Sequence, residues 1–155
     1  MCIEYRSCKA VKISEKGLEL LKHYEGCELT AYRCSADVLT IGYGHTKGVT
    51  EDMVITQEEA DQMLQDEMPE YEGYINDKVT VELNQDQFDA MVCWVYNLGS
   101  GNLSSSTLLK VLNDGDYDGV PEQMKRWNKA GGKVLNGLIK RRDSEAKLFC
   151  SEEWL

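Results

Sequence analysis

The chain has little proline and little histidine, two of each in 155 residues, and it has no long apolar run. Two prolines and a hydrophobic content of 42% exclude a disordered or fibrous chain. The longest apolar stretches, such as Met91 to Tyr96, are far short of the roughly 20 residues that a membrane-spanning helix needs, so no membrane insertion is expected. Six cysteines are present, Cys2, Cys8, Cys27, Cys34, Cys93 and Cys150, yet none pair as CxxC and no paired-histidine spacing accompanies them. That excludes a zinc-finger reading, so no metal is expected, and thiols so scattered are most simply free ones in a reducing cytoplasm. Residues 1 to 13 hold Glu4, Arg6, Lys9 and Lys12 and lack the apolar core of a secretory signal.

Basic residues are also in short supply, 17 against 27 acids, for a net charge of −10. A wrapped, phosphate-neutralising contact is therefore not expected, and nucleic acid is not a partner. The charge is segregated, however. Residues 51 to 90 carry thirteen acids and one base, Lys78, while residues 120 to 150 carry eight bases and only Glu122, Asp143 and Glu145 as acids. The basic C-terminal region could face an anionic surface.

Hydrophobic periodicity divides the chain into recognisable pieces. A helix is expected after Ser14, with Leu18, Leu21 and Tyr24 on one face and Glu25-Gly26 at its end. A carboxylate at a helix C-terminus meets the unfavourable end of the dipole, which is a poor choice if Glu25 serves structure alone. Two β-prone runs, Leu29 to Tyr32 and Val38 to Tyr43, flank the turn-like Cys34-Ser35-Ala36-Asp37 and predict a hairpin. Thr56 to Glu59 is a capping box that opens a second helix, which Pro69 should kink or split. Asn84 to Leu98 is the clearest helix, with Asn84 and Gln87 as capping signal and Gly99 as stop. Ser100 to Ser106 is expected as a loop, followed by short helices near Leu108 to Leu112 and Met124 to Trp127, a Gly131-Gly132 turn and a last helix over Val134 to Phe149. The fold class is α+β, in one domain: an N-terminal α/β lobe over about residues 14–55, a connecting helical segment over 56–82, and a helical lobe over 83–150.

Glu25, Cys34 nine residues later and Thr40 six further on carry the candidate chemistry. Alone, each has an ordinary explanation as helix end, turn residue and β-former. Their surroundings add weight. Tyr24-Glu25-Gly26, Leu29-Thr30-Ala31-Tyr32, Leu39-Thr40-Ile41-Gly42-Tyr43-Gly44-His45-Thr46, Asn97-Leu98-Gly99, Ser106-Thr107-Leu108-Leu109, Trp127 and Ala130 to Leu135, with Gly137-Leu138, Arg141-Arg142 and Glu145, follow one another in order. Together they strongly resemble the bacteriophage lysozymes of glycoside hydrolase family 24, the endolysins, over about residues 14 to 149.

The resemblance implies a lysozyme-like fold with the active-site cleft between a small hairpin lobe and a larger, mainly helical lobe. It implies cleavage of the β-1,4 bond between N-acetylmuramic acid and N-acetylglucosamine, no cofactor, a monomer, and glycan strands of bacterial peptidoglycan as partner. It also implies residence in the host cytoplasm until the membrane is permeabilised. Glu25 matches the family's general acid, which must supply a proton to the leaving oxygen. The second acidic position of the family is held here by Cys34. A thiol with an ordinary pKa is a weak base near neutrality, though a thiolate could assist water or attack carbon. Inversion, with water held by Cys34 and Thr40, is the preferred expectation, with a thiolate nucleophile as the alternative. Asp37 is a rival carboxylate, read as a turn residue at a position usually held by glycine. His45 is carried over as structural, which leaves a Cys34/His45 peptidase as a minor alternative beside a catalytically silent wall-binding protein. Thr46, Tyr96 and Asn97 are the expected substrate-binding residues, and Arg141 with Glu145 reads as a plain helical pair.

Overall fold

The computed structural model describes residues 10–154. The expectation of no N-terminal signal, and Cys2 and Cys8, fall wholly or largely outside the described residues. The described chain forms two compact units: Leu21–Pro69 is one, and the remainder, before and after it, is the other. The divisions fall within two helices, α1 (Glu15–Glu25) and α2 (Gln57–Lys78).

The unit Leu21–Pro69 carries the hairpin. Strands β1 (Glu28–Arg33) and β2 (Leu39–Gly42) pair antiparallel, with Tyr32 opposite Thr40 and an irregularity between Glu28 and Tyr32. Sequence reasoning missed that residues 53–55 extend this sheet: the Ala31 N–H donates to the Met53 carbonyl at 2.9 Å and the Ile55 N–H to the Leu29 carbonyl at 2.9 Å. The expected capping box forms at α2, where the Glu59 N–H donates to Thr56 Oγ1 (3.1 Å) and the Thr56 N–H to Glu59 Oε1 (2.9 Å). α2 is not split at Pro69 and runs unbroken over 22 residues. The position is exposed, as is Gln65 one turn earlier, so water can take the carbonyl that proline leaves unbonded.

The other unit is built on α3 (Gln85–Leu98), whose residues Phe88 to Val95 are all buried. Its predicted N-terminal capping box, Asn84 with Gln87, is present. α3 packs on α7 (Asn136–Phe149), which also packs on α6 (Val120–Lys125). Trp127 meets buried Trp94 edge-to-face at 5.4 Å between ring centroids, as core aromatics do. Ser100 to Ser105 is a short helix, α4, and not the expected loop; it seats Leu103, which is fully buried. α5 spans Thr107–Asn113, and a 3₁₀ turn at Tyr117–Gly119 leads into α6. Gly131 and Gly132, at φ 59 and 79, form the two-residue turn of a second, minimal hairpin, β3 (Lys129–Ala130) with β4 (Lys133–Val134). Ser14 precedes α1, but its N–H and hydroxyl both donate to the buried Asp89 carboxylate, the N–H at 2.9 Å. No helix among the described residues is long and apolar enough to cross a membrane.

Candidate active site

Glu25 ends α1 and is half-buried. The loop after β2 is folded tightly against it. Ile41 and His45 exchange two backbone hydrogen bonds of 2.9 Å, so three residues, Gly42, Tyr43 and Gly44, must reverse the chain. Gly44 does so at φ +86, and a Cβ there would lie 3.1 Å from Glu25 Oε1. Glycine at this position therefore serves both the left-handed backbone and the space taken by the carboxylate.

His45 stabilises the loop from outside. Its Nε2 is 2.9 Å from the Lys47 carbonyl and its Nδ1 is 3.4 Å from Glu67 Oε1. A donating Nε2 leaves Nδ1 to accept, or to form an ion pair when the ring is protonated. Beside it, the Tyr43 hydroxyl donates to Asp61 at 3.2 Å and accepts from Gln57 at 3.0 Å, while Lys22 Nζ lies 3.3 Å from Asp61. Burial alone would raise the Asp61 pKa; hydrogen bonds from Gln57 and Lys22, the Lys22 charge and Tyr43 outweigh it and hold the pKa below the usual value.

Cys34 opens the hairpin loop. Its N–H donates to the Val38 carbonyl at 3.0 Å and its carbonyl accepts from the Asp37 N–H at 2.8 Å. A three-residue loop of this kind needs a left-handed residue at its end. Asp37 is that residue, at φ 60, and its exposed carboxylate lies 3.7 Å from Arg33 Nη1. The turn reading of Asp37 accounts for this conformation.

The same turn brings hydrogen-bond donors to the sulfur. The Val38 and Ala36 N–H groups, followed by the Thr40 hydroxyl, lower the Cys34 pKa against the modest effect of burial. Thr40 is only 3% exposed, and its Oγ1 also lies 2.9 Å from the Val38 carbonyl. Tyr32, opposite Thr40 in the sheet, has its phenol pKa raised by burial first and then by the negative charges of Cys34, Glu28 and Glu25. Glu25, Cys34 and Thr40 thus belong to one neighbourhood that also includes Tyr32, which sequence reasoning did not single out. The cross-strand register was the signal that could have found it.

Thr46 follows His45 and is exposed. Tyr96 and Asn97 lie at the end of α3, in the other unit. The Tyr96 ring is half-buried and packs against Tyr71 at 4.7 Å. Asn97 is exposed, and its Oδ1 accepts from Arg142 Nη2 at 2.8 Å. Among the described residues no cluster of three or more His, Cys, Asp or Glu side chains could hold a metal ion. Cys27, Cys34, Cys93 and Cys150 are free thiols.

Residues 22–145 match the family model described as phage lysozyme. The chain belongs to the phage lysozyme family. This family member is 46% identical over 141 residues to an endolysin of Acyrthosiphon pisum secondary endosymbiont phage 1, covering 88% of this chain and 97% of that one. It is 41% identical to an endolysin of Bacillus phage B103 over 92% of its own length, but spans only 56% of that relative. Among solved structures, an endolysin from Escherichia coli phage FAHEc1 superposes with a TM-score of 0.83 at 38% identity, covering 89% of this chain and 92% of that chain. The lysozyme-like α+β fold expected from the motifs is therefore the fold observed.

Proposed function

We propose that this phage lysozyme family member is a peptidoglycan hydrolase of the endolysin type that cleaves the β-1,4 bond between N-acetylmuramic acid and N-acetylglucosamine. The observation that carries the reading is the pairing of a carboxyl group seated in the space of a missing side chain, Glu25 against Gly44, with a cysteine whose sulfur receives the donors of its own turn. Glu25 acts as general acid and gives its proton to the glycosidic oxygen as the C–O bond breaks. Water attacks the anomeric carbon from the opposite face, and its proton passes to the Cys34 thiolate, so the configuration inverts. Thr40 is too buried to share the water equally and acts chiefly on the sulfur.

Thr46, Tyr96 and Asn97 bind sugar, through hydroxyl, ring face and amide. A second course is favoured by the lowered Cys34 pKa: direct attack of the thiolate on the anomeric carbon, with retention. A Cys34/His45 peptidase is disfavoured because both ring nitrogens of His45 face Lys47 and Glu67.

The test is release of reducing sugar from purified cell walls by wild type and Glu25→Gln, with proton NMR of the first-formed anomer. Release by wild type alone, with the α anomer first, supports inversion. The β anomer first would establish retention and overturn the inverting course. Wall binding without release from either protein would sink the enzymatic reading in favour of a silent binder.

A further inference from the structure

Arg141 and Glu145, read from sequence as a plain helical pair, belong to a buried charge cluster that reaches the candidate sugar-binding residue Asn97. Glu145 is fully buried and Arg142 likewise, with Arg142 Nε 2.8 Å from Glu145 Oε1 and its Nη2 donating to Glu145 Oε2 at 3.1 Å. Arg141 Nε donates to the same Oε2 at 3.2 Å. Two arginines thus meet one buried carboxylate, and beyond it Arg142 Nη2 donates to Asn97.

Guanidinium only donates, so the Asn97 atom that faces it must be the carbonyl oxygen, and the amide cannot be flipped. Its Nδ2, on an exposed residue, donates to no group among the described residues. Donation by a cation into the amide oxygen also polarises the amide and strengthens its N–H groups as donors.

We infer that Arg142, held by Glu145, is a positioning residue that fixes Asn97 as a hydrogen-bond donor, so that this point of the binding surface selects a carbonyl oxygen of the wall polymer. This rests on the lysozyme reading above. Two carbonyl sources exist in peptidoglycan, the acetamido group of an amino sugar and the stem peptide.

Asn97→Asp separates the possibilities, because an aspartate still accepts from Arg142 while presenting an acceptor in place of the donor. Its melting temperature should match or exceed wild type. On intact walls its KM should rise about tenfold or more, as loss of one polarised hydrogen bond implies, with a smaller change in kcat. On de-N-acetylated walls the penalty disappears if the acetamido oxygen is the partner; on walls stripped of stem peptides it disappears if the peptide carbonyl is. Arg142→Lys should raise KM in the wild-type background and add nothing further to Asn97→Asp. An unchanged KM for Asn97→Asp on intact walls, a penalty that persists on both altered walls, or additive effects of the two substitutions overturns the inference. Absence of turnover by wild type would instead refute the lysozyme reading. In that case the Asn97 side-chain amide resonances test the remaining half: slow exchange in wild type and faster exchange in Arg142→Lys support positioning, and equal exchange rejects it.

Discussion

The glycine beside Glu25 allows backbone strain and active-site geometry to be separated by experiment. In Gly44→Ala the new Cβ has two consequences. The residue is forced to remain at φ +86, which costs a non-glycine residue about 1–2 kcal/mol. The methyl also meets Glu25 Oε1 at 3.1 Å, so the carboxylate must recede by a few tenths of an ångström. Misplacement by 1 Å can cost about a hundredfold in rate, so a shift of a few tenths implies a loss of roughly three- to fivefold in kcat.

Gly48→Ala is the matching control, because Gly48 stands at φ +69 and a Cβ there meets nothing within 4 Å. Both variants should lose about 2–8 °C in melting temperature, from the backbone term alone. Both should remain almost wholly folded at 25 °C by circular dichroism, where kcat on cell walls is then measured. Only Gly44→Ala should be slower. Equal kcat in the two variants, or an equal loss in both, would refute the claim that Gly44 makes room for the carboxyl of Glu25, the proposed general acid.

Further outcomes follow from the thiol, the turn and the buried carboxylate. Iodoacetamide should label Cys34 before Cys150, whose pKa is raised by burial and by Glu152, and activity should fall with Cys34 labelling followed by peptide mapping; inactivation that tracks Cys150 would refute this. Asp37→Gly should keep turnover and gain up to about 1 kcal/mol, since glycine relieves φ 60 and the exposed pair with Arg33 is worth little; urea unfolding and the wall assay check both parts. Burial raises the Asp89 pKa, against hydrogen bonds from Ser14 and Gln85. The folded chain therefore keeps that proton to higher pH than the unfolded chain. Its stabilising contribution is full below the unfolded pKa near 4 and is lost as pH rises through the folded value. Asp89→Asn, which cannot titrate, should lose less urea stability than wild type as pH rises from about 4; parallel pH profiles would contradict the assignment.

What was legible in the sequence was whatever is encoded locally. α3 announced itself by apolar spacing and a capping pair, and the first hairpin by two β-prone runs around a turn. α4 was hidden because Ser100 to Ser105 contains poor helix formers, and only burial of Leu103 makes that turn worthwhile. β3 and β4, two residues each, are too short to show alternation. Pro69 does not split α2, because the bond it removes lies on a solvated face, which a propensity rule does not register. At the candidate site, the order of motifs led to Glu25, Cys34 and Thr40 as the residues to propose. The link from Arg142 to Asn97 spans 45 residues and has no local signature, so Arg141 and Glu145 could be read only as neighbours on one helix.

The turn also bears on how a cysteine could serve at the position where the family resemblance implies a carboxylate. A carboxylate spreads its charge over two oxygens, whereas a thiolate concentrates it on one atom and needs donors that converge there. The three-residue loop closed by Asp37 supplies two such N–H groups, from Ala36 and Val38. The Thr40 hydroxyl donates to the Val38 carbonyl at 2.9 Å, and it also helps to lower the Cys34 pKa. If Thr40 acts on the rate through the sulfur, as proposed, the effects of the two residues cannot add. Thr40→Val should lose activity on its own, and combined with Cys34→Ser it should lose no more than Cys34→Ser alone; a multiplicative loss in the double variant would mean that Thr40 acts on the substrate or its water directly.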